Sequence, residues 1–177
     1  LFRFLAGQDF FDYDGDCTTG ANDTGTTELR DHVLGDIYHS QLIEVGVPDG
    51  SVEFSANNEE SYFRSINNYQ GFKVEQQNRR NLIYAGSNSG LIHAFDAETG
   101  DEEWAFLPPI LIGKLPNIIN NALNGTVDGT KGGSNAIFGV DGSPVVHDVF
   151  IKGLSFDGQN VIVEDEPDWR TILFVPF

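Results

Sequence analysis

The stretch "GLIHAFDAETGDEEWAF", residues 90–106, decides the fold. Along its first half the side chains alternate: Ile92, Ala94 and Asp96 fall on one face of an extended chain, and Leu91, His93 and Phe95 on the other. "ETG" then turns the chain, with Gly100 supplying backbone freedom that a residue with a Cβ lacks. "DEEWAFL" alternates again and puts Trp104 and Phe106 on one face. Just upstream, "NLIYAG" is a run of strand-favouring residues ended by Gly86, and "SNSG" is a turn. Residues 81–107 therefore predict a three-stranded antiparallel meander with short turns.

Two further stretches extend this pattern. "HSQLIEVG" (39–46) reads as a strand led by Ser40, and "GSPVVHDV" (142–149) has the same outline, led by Ser143. "RNLIYAG" (80–86) is matched by "RTILFVP" (170–176), each an Arg-led apolar strand. The order is the same in both copies: a Ser-led strand, a long connection, an Arg-led strand. Only the first copy goes on to the hairpin of residues 90–106. Four-stranded meanders in series are the blades of β-propellers, and a blade buries its faces only against neighbours. The expected fold is all-β: a partial β-propeller with about one complete four-stranded blade and part of the next, long loops and a short helix. A propeller needs at least four blades. The 177 residues contain no Met, begin at Leu1 and end on the apolar run "TILFVPF", so we expect a piece of a longer, processed protein.

This divides the chain into a lead-in segment, 1–32, with an Asp-rich loop; a blade, 33–109, with an insertion at 47–79; a helix and Asn/Gly-rich loop, 110–139; and the truncated start of the next blade, 140–177. The insertion reads as polar and irregular, held to the body by Tyr62, Phe63, Tyr69 and Phe72. Pro108 and Pro109 stop the sheet, and "PPILIGKLPNII" reads as a short helix, since Pro suits a first helical turn. Residues 153–168 read as a polar loop before the last strand.

The net charge is −17. Such a field repels nucleic acid and anionic lipid and favours cations. No apolar stretch is long enough to span a membrane. The single Cys17 has no internal partner for a disulfide and sits among acidic neighbours, which raise a thiol pKa. Ser40 and Ser143 lie at strand starts without a nucleophile-elbow motif. The histidines at 32, 39, 93 and 147 show no zinc-ligand spacing and read as structural or surface residues. Asn22-Asp23-Thr24 and Asn124-Gly125-Thr126 form glycosylation sequons, short patterns that recur by chance.

The chemistry-bearing candidate is the Asp-rich loop. Calcium takes six to eight oxygens, and a 12-residue loop supplies them from positions 1, 3, 5, 7, 9 and 12. Counted from Asp12, those positions are Asp12, Asp14, Asp16, Thr18, Gly20 and Asp23. Cys17 stands where such a loop carries Gly, and Asp23 replaces the usual Glu, so the expectation is a calcium site that is not an EF-hand. In the hairpin, by contrast, ordinary sheet chemistry accounts for every residue: Asp96 caps the turn's amides, and Trp104 covers the seam between blades.

Several of these stretches resemble the PilC/PilY-type proteins, the tip-associated factors of type IV pili, whose blades look like quinoprotein repeats. The resemblance rests on Gly90, Ala94, Phe95, Asp96, Thr99, Gly100, Trp104 and Phe106, on "FLPP" (106–109), and on "VLGDIYHS", "VDGSPVVHDV" and "WRTILF". It implies a non-enzymatic propeller segment acting in pilus assembly and surface attachment. The protein would be exported to the cell surface, pilus tip or outer membrane. Its implied partners are the rest of its own chain, minor pilins and an unknown surface target, with the excursions 47–79 and 109–137 as presented surface. The alternative is a fragment of a quinoprotein-type, PQQ-dependent dehydrogenase, since the same repeat builds those enzymes. A third reading is an assembly or scaffold propeller without adhesive role.

Overall fold

The computed structural model describes residues 5–8, 29, 33–54, 58–117, 139–156 and 158–176. A four-stranded antiparallel sheet runs in the order β1 (Ile43–Val45), β2 (Leu82–Gly86), β3 (Ile92–Asp96) and β4 (Glu102–Phe106). Its registers Ile43↔Tyr84, Tyr84↔Ala94 and Ala94↔Trp104 place these four side chains on one face, as the alternation predicts. The second sheet is a hairpin of β5 (Val145–Phe156) and β6 (Val161–Phe174). The Ser-led and Arg-led strands of each copy thus pair with each other: Ile43 with Tyr84 in the first, Val146 with Leu173 in the second. This is one complete blade and the first two strands of another.

The two blades are joined by a seam core. Ile92, Leu111 and Val140 are buried together, with Tyr84, Leu107 and Val175 against them. Leu111 comes from a 3₁₀ helix, Pro109–Asn117, so the helix expected after the double proline exists in its tighter form. Gly86 lies so close to Val140 that a Cβ there would collide with the Val140 carbonyl oxygen.

Two readings of the connections are corrected. The insertion is not irregular: it contains α1 (Glu59–Ile66) and α2 (Tyr69–Glu75). Asn58 caps α1 by accepting from the Ser61 amide at 3.0 Å, Glu59 and Glu60 lie in its first turn, and Arg64 pairs with Glu60 one turn on at 2.7 Å. Eight and seven residues are too few for hydrophobic periodicity to show above a polar background, and tertiary packing makes such short helices stable. Residues 153–168 are not a loop either. β5 continues to Phe156 and β6 starts at Val161, so this stretch is mostly the far end of the hairpin. Pro167 is accommodated opposite Lys152, where the register shifts before resuming at Leu154↔Val163.

Candidate functional site: a hydrogen-bonded junction between blades

The helical excursion of the first blade packs on the hairpin of the second. Tyr69 and Phe72 of α2 and Trp169 of β6 form a buried cluster with Val52 and Phe150 at its edge. The Tyr69 and Trp169 rings meet edge-on at 4.7 Å, and Phe63 adds edge contacts to Phe150 and Trp169 at 5.9 and 6.0 Å. The indole N–H of Trp169 donates to the Asn67 carbonyl at 2.7 Å, so the ring is fixed at both ends. Tyr69 and Phe72 hold the excursion as the sequence predicts. Tyr62 and Phe63 are half-exposed, and Tyr62 packs on Phe54 within the excursion.

Beside this cluster a chain of hydrogen bonds crosses the junction. The Arg79 guanidinium donates to the Gly46 carbonyl at 2.6 Å and to Thr171 Oγ1 at 2.7 Å. Thr171 donates to Asp148 Oδ1 at 2.6 Å, and the Tyr69 hydroxyl donates to Asp148 Oδ2. The Gly50 amide donates to the Tyr69 oxygen at 3.3 Å. Burial and the Asp148 carboxylate together push the Tyr69 hydroxyl up to about 12. These residues line a cleft of about 270 Å³ together with Arg64 and His147. Arg64 lies over the Tyr69 ring, 5.5 Å from its centre. A second cavity, about 200 Å³, separates Tyr84 and Leu82 from Val146 and Leu173 across the seam. Burial there raises the Tyr84 hydroxyl.

The Ser-led pattern has a structural meaning. Ser40 Oγ accepts from the Gly86 amide at 2.9 Å, and Ser143 Oγ accepts from the Gln41 amide of the preceding blade at 3.1 Å. His39 pairs with Asp141 across the same seam at 3.3 Å on the surface, and His147 is exposed. His93 is buried: its Nδ1–H donates to Glu102 Oε1 at 2.5 Å, and its Nε2 lies 2.9 Å from Ser87 Oγ. That Ser–His–Glu order matches a nucleophile relay, but Ser87 is only 1% exposed and also contacts Ser89 Oγ at 2.6 Å and the Leu91 carbonyl at 3.3 Å. What it does is tie the β2–β3 turn to β4.

The hairpin turn behaves as its sequence predicts. Asp96 Oδ1 accepts from the amides of Glu98 and Thr99 at 2.9 and 3.1 Å, and those bonds lower its pKa. Gly100 has φ +80°, a left-handed conformation that favours glycine. Trp104 packs on Tyr84 with rings 5.6 Å apart, on the face turned to the next blade.

The proposed calcium ligands Asp12, Asp14, Asp16, Thr18, Gly20 and Asp23 lie outside the described residues. Among the described residues, no group of three or more His, Cys, Asp and Glu could hold a metal ion. No helix among them is long and apolar enough to cross a membrane. Sequence reading missed Arg79, Asp148 and Thr171. Thr171 and Asp148 lie inside the two repeat segments, which was the available signal, but partners 92 residues apart for Arg79 and Thr171 are invisible to local pattern.

Comparison with known proteins agrees with this architecture. The family model described as "PilY1 beta-propeller domain" matches residues 34–162. A "Type IV pilus biogenesis factor PilY1" of Pseudomonas aeruginosa strain UCBPP-PA14 is 40% identical over 124 residues, 70% of this chain and 10% of that protein. A "Type IV pilus biogenesis factor PilY1 homolog" of Xylella fastidiosa is 39% identical over 101 residues, 57% of this chain and 8% of that protein. The chain spans about a tenth of the length of these relatives. No solved structure matches.

Proposed function

This chain belongs to the PilY1 β-propeller family, and from that premise we propose that it is a non-enzymatic propeller segment of a type IV pilus biogenesis factor. It acts in pilus assembly and surface attachment, exported and held at the cell surface, with minor pilins among its partners. The observation that carries this reading is the stacked pair of blades. Its seam is built from apolar side chains and from hydrogen bonds that run from one blade to the other, which suits a scaffold, and exposed aromatic and apolar groups stand on the excursion as well as on the strands. Phe54, Tyr62 and Ile66 are 58%, 49% and 59% exposed on the excursion. A partner that recognises the presented surface would meet them first.

The test replaces Phe54, Tyr62 and Ile66 with Ser in the full-length protein and scores pili by electron microscopy and attachment to a surface separately. Normal pili with reduced attachment are expected. Unchanged attachment overturns the assignment of this excursion to attachment, and loss of pili with a folded protein transfers it to assembly. The Asp-rich loop belongs to the same reading as a calcium site that steadies the lead-in segment. Calorimetric titration should show binding that Asp14→Ala weakens; no heat at millimolar calcium removes the site.

A further inference from the structure

The seam between the blades closes unevenly. At one end Ile92, Leu111 and Val140 are buried together, and Gly86 lies against the Val140 carbonyl. At the other end the seam is hollow. There the cross-strand pair Val45↔Leu82 and Tyr84 of the first blade face the pair Val146↔Leu173 of the second across the cavity of about 200 Å³. All five side chains are half-buried. Protein interiors hold few voids larger than a water molecule, so an apolar gap of this size between two sheets calls for an occupant.

The cavity has a charged end. Arg79 and Arg80 line it together with Thr171, and no described carboxylate does, in a chain with 27 acidic and 10 basic residues. Of the four described arginines, Arg64 pairs with Glu60, Arg80 with Asp96 and Glu103, and Arg170 with Glu164. Arg79 has no ion pair among the described residues. Its Nε and Nη2 donate to the Gly46 carbonyl and its Nη1 to Thr171 Oγ1, both neutral acceptors. A guanidinium carries five N–H groups, so two are left without an acceptor among the described residues. A half-buried cation held by neutral oxygens lacks the carboxylate that would complete a strong, forked pair.

We propose that this cavity binds a medium-chain fatty acid, with its carboxylate on Arg79 and its tail between the two apolar pairs. The lining selects both ends of the ligand. A neutral hydrocarbon leaves Arg79 unpaired, and a cation is repelled by both arginines. Size limits the tail: an apolar cavity of about 150 Å³ holds a six-carbon ring, so about 200 Å³ suits a tail of about seven or eight carbons. The ligand enters from the neighbouring cleft of about 270 Å³, which shares Val45, Arg79, Val146 and Thr171 with the cavity. The carboxylates of that cleft are otherwise engaged. Asp148 accepts from Tyr69 and Thr171, Glu44 accepts from Asn81 Nδ2 at 3.0 Å, and Asp49 is exposed to solvent, which screens it. Bound there, the acid bridges the two blades. This inference goes beyond the attachment reading and does not depend on it.

The test adds octanoate to the full-length protein and reads binding by calorimetry. Octanoate should bind, while octan-1-ol and octylammonium, which lack the carboxylate, should bind about tenfold more weakly or less. Each methylene removed from the acid should weaken binding about fourfold, and decanoate should gain nothing over octanoate. Arg79→Gln should weaken octanoate binding about tenfold, and Arg79→Lys should restore part of it. Because Arg79 also donates across the seam, Val146→Phe is the independent variant. It fills the cavity and should abolish binding with the melting temperature kept or raised. A diazirine analogue of octanoate, mapped by mass spectrometry, should label the segments around Val45, Leu82, Val146 and Leu173. No binding at millimolar octanoate, equal binding of octan-1-ol, or labelling confined to other parts of the chain overturns the proposal. So does binding indifferent to Arg79→Gln or to Val146→Phe.

Discussion

The two blades solve the same connection in opposite ways. Between its first two strands, the first blade inserts a pair of short helices; the second extends the strands themselves into a long ribbon. The paired strands keep their order and their Ser and Arg leads, while the connections share nothing in sequence or structure. Yet the two connections depend on each other, because the helices of one roof the ribbon of the other around Trp169. Strand pairing is thus a local, repeated solution within each blade, and connection packing is a non-local one made once between blades.

The largest effect should come from removing the shared roof. Trp169→Ala deletes the ring that touches Tyr69, Phe63 and Phe150 and leaves the Asn67 carbonyl without its donor. A cost of about 3–5 kcal/mol is expected. Hydrogen exchange should show α1 and α2 losing protection while β2 and β3 keep theirs. Equal loss in both regions would mean that the two solutions are not separable. Next comes Gly86→Ala, which drives a Cβ into the Val140 carbonyl and so strains the seam rather than the roof. It should cost about 1–3 kcal/mol, the range for overpacking. Thermal unfolding would reveal it, and exchange should quicken first around Val140 and Leu111.

These two sites also show why one region was legible in the sequence and the other was not. The meander announces itself because strand alternation, Gly100 at positive φ and the Asp96 cap are all local, within a few residues of one another. Ser40 and Ser143 were visible as repeat markers, although their bonds to Gly86 and Gln41 were not. The helices were hidden because each is two turns long and amphipathic only with respect to a partner about 100 residues away. The ribbon was hidden because its acidic run and Pro167 read as loop, when a register shift absorbs them. The junction network was illegible for the same reason: Arg79, Asp148 and Thr171 are ordinary residues until the fold brings them together.

A smaller effect probes that network. Tyr69→Phe keeps the ring and removes the hydroxyl, leaving Asp148 Oδ2 without its donor, for an expected cost of about 1–3 kcal/mol near neutral pH. The sign of its pH dependence is fixed. The hydroxyl titrates at 10.0 when free and at about 12 in the folded protein, so folding favours the protonated form. Its contribution is complete below pH 10 and is lost as pH rises from 10 through 12. The stability gap between the native protein and Tyr69→Phe should therefore narrow over that interval, and denaturant titrations at pH 8 and pH 11 would measure it. A constant gap would show that folding does not hold the Tyr69 hydroxyl in its protonated form.

The smallest effect is expected in the most regular part of the molecule. Asp96→Ala removes the acceptor of the Glu98 and Thr99 amides, but both residues are exposed and water replaces the lost bonds. The native carboxyl has a lowered pKa, so its contribution is present above the ordinary carboxylate range and is lost as pH falls through the lowered value. The variant should therefore unfold at nearly the native temperature at pH 7 and be indistinguishable from it in strong acid. Amide exchange should quicken at Glu98 and Thr99 and stay unchanged at Ala94, whose side chain lies beneath Trp104 and Tyr84 in the cross-strand row. If exchange at Ala94 quickened too, the turn and not the buried face would be what holds β3 to β4. The hairpin's recognisable sequence would then reflect turn formation more than blade stacking.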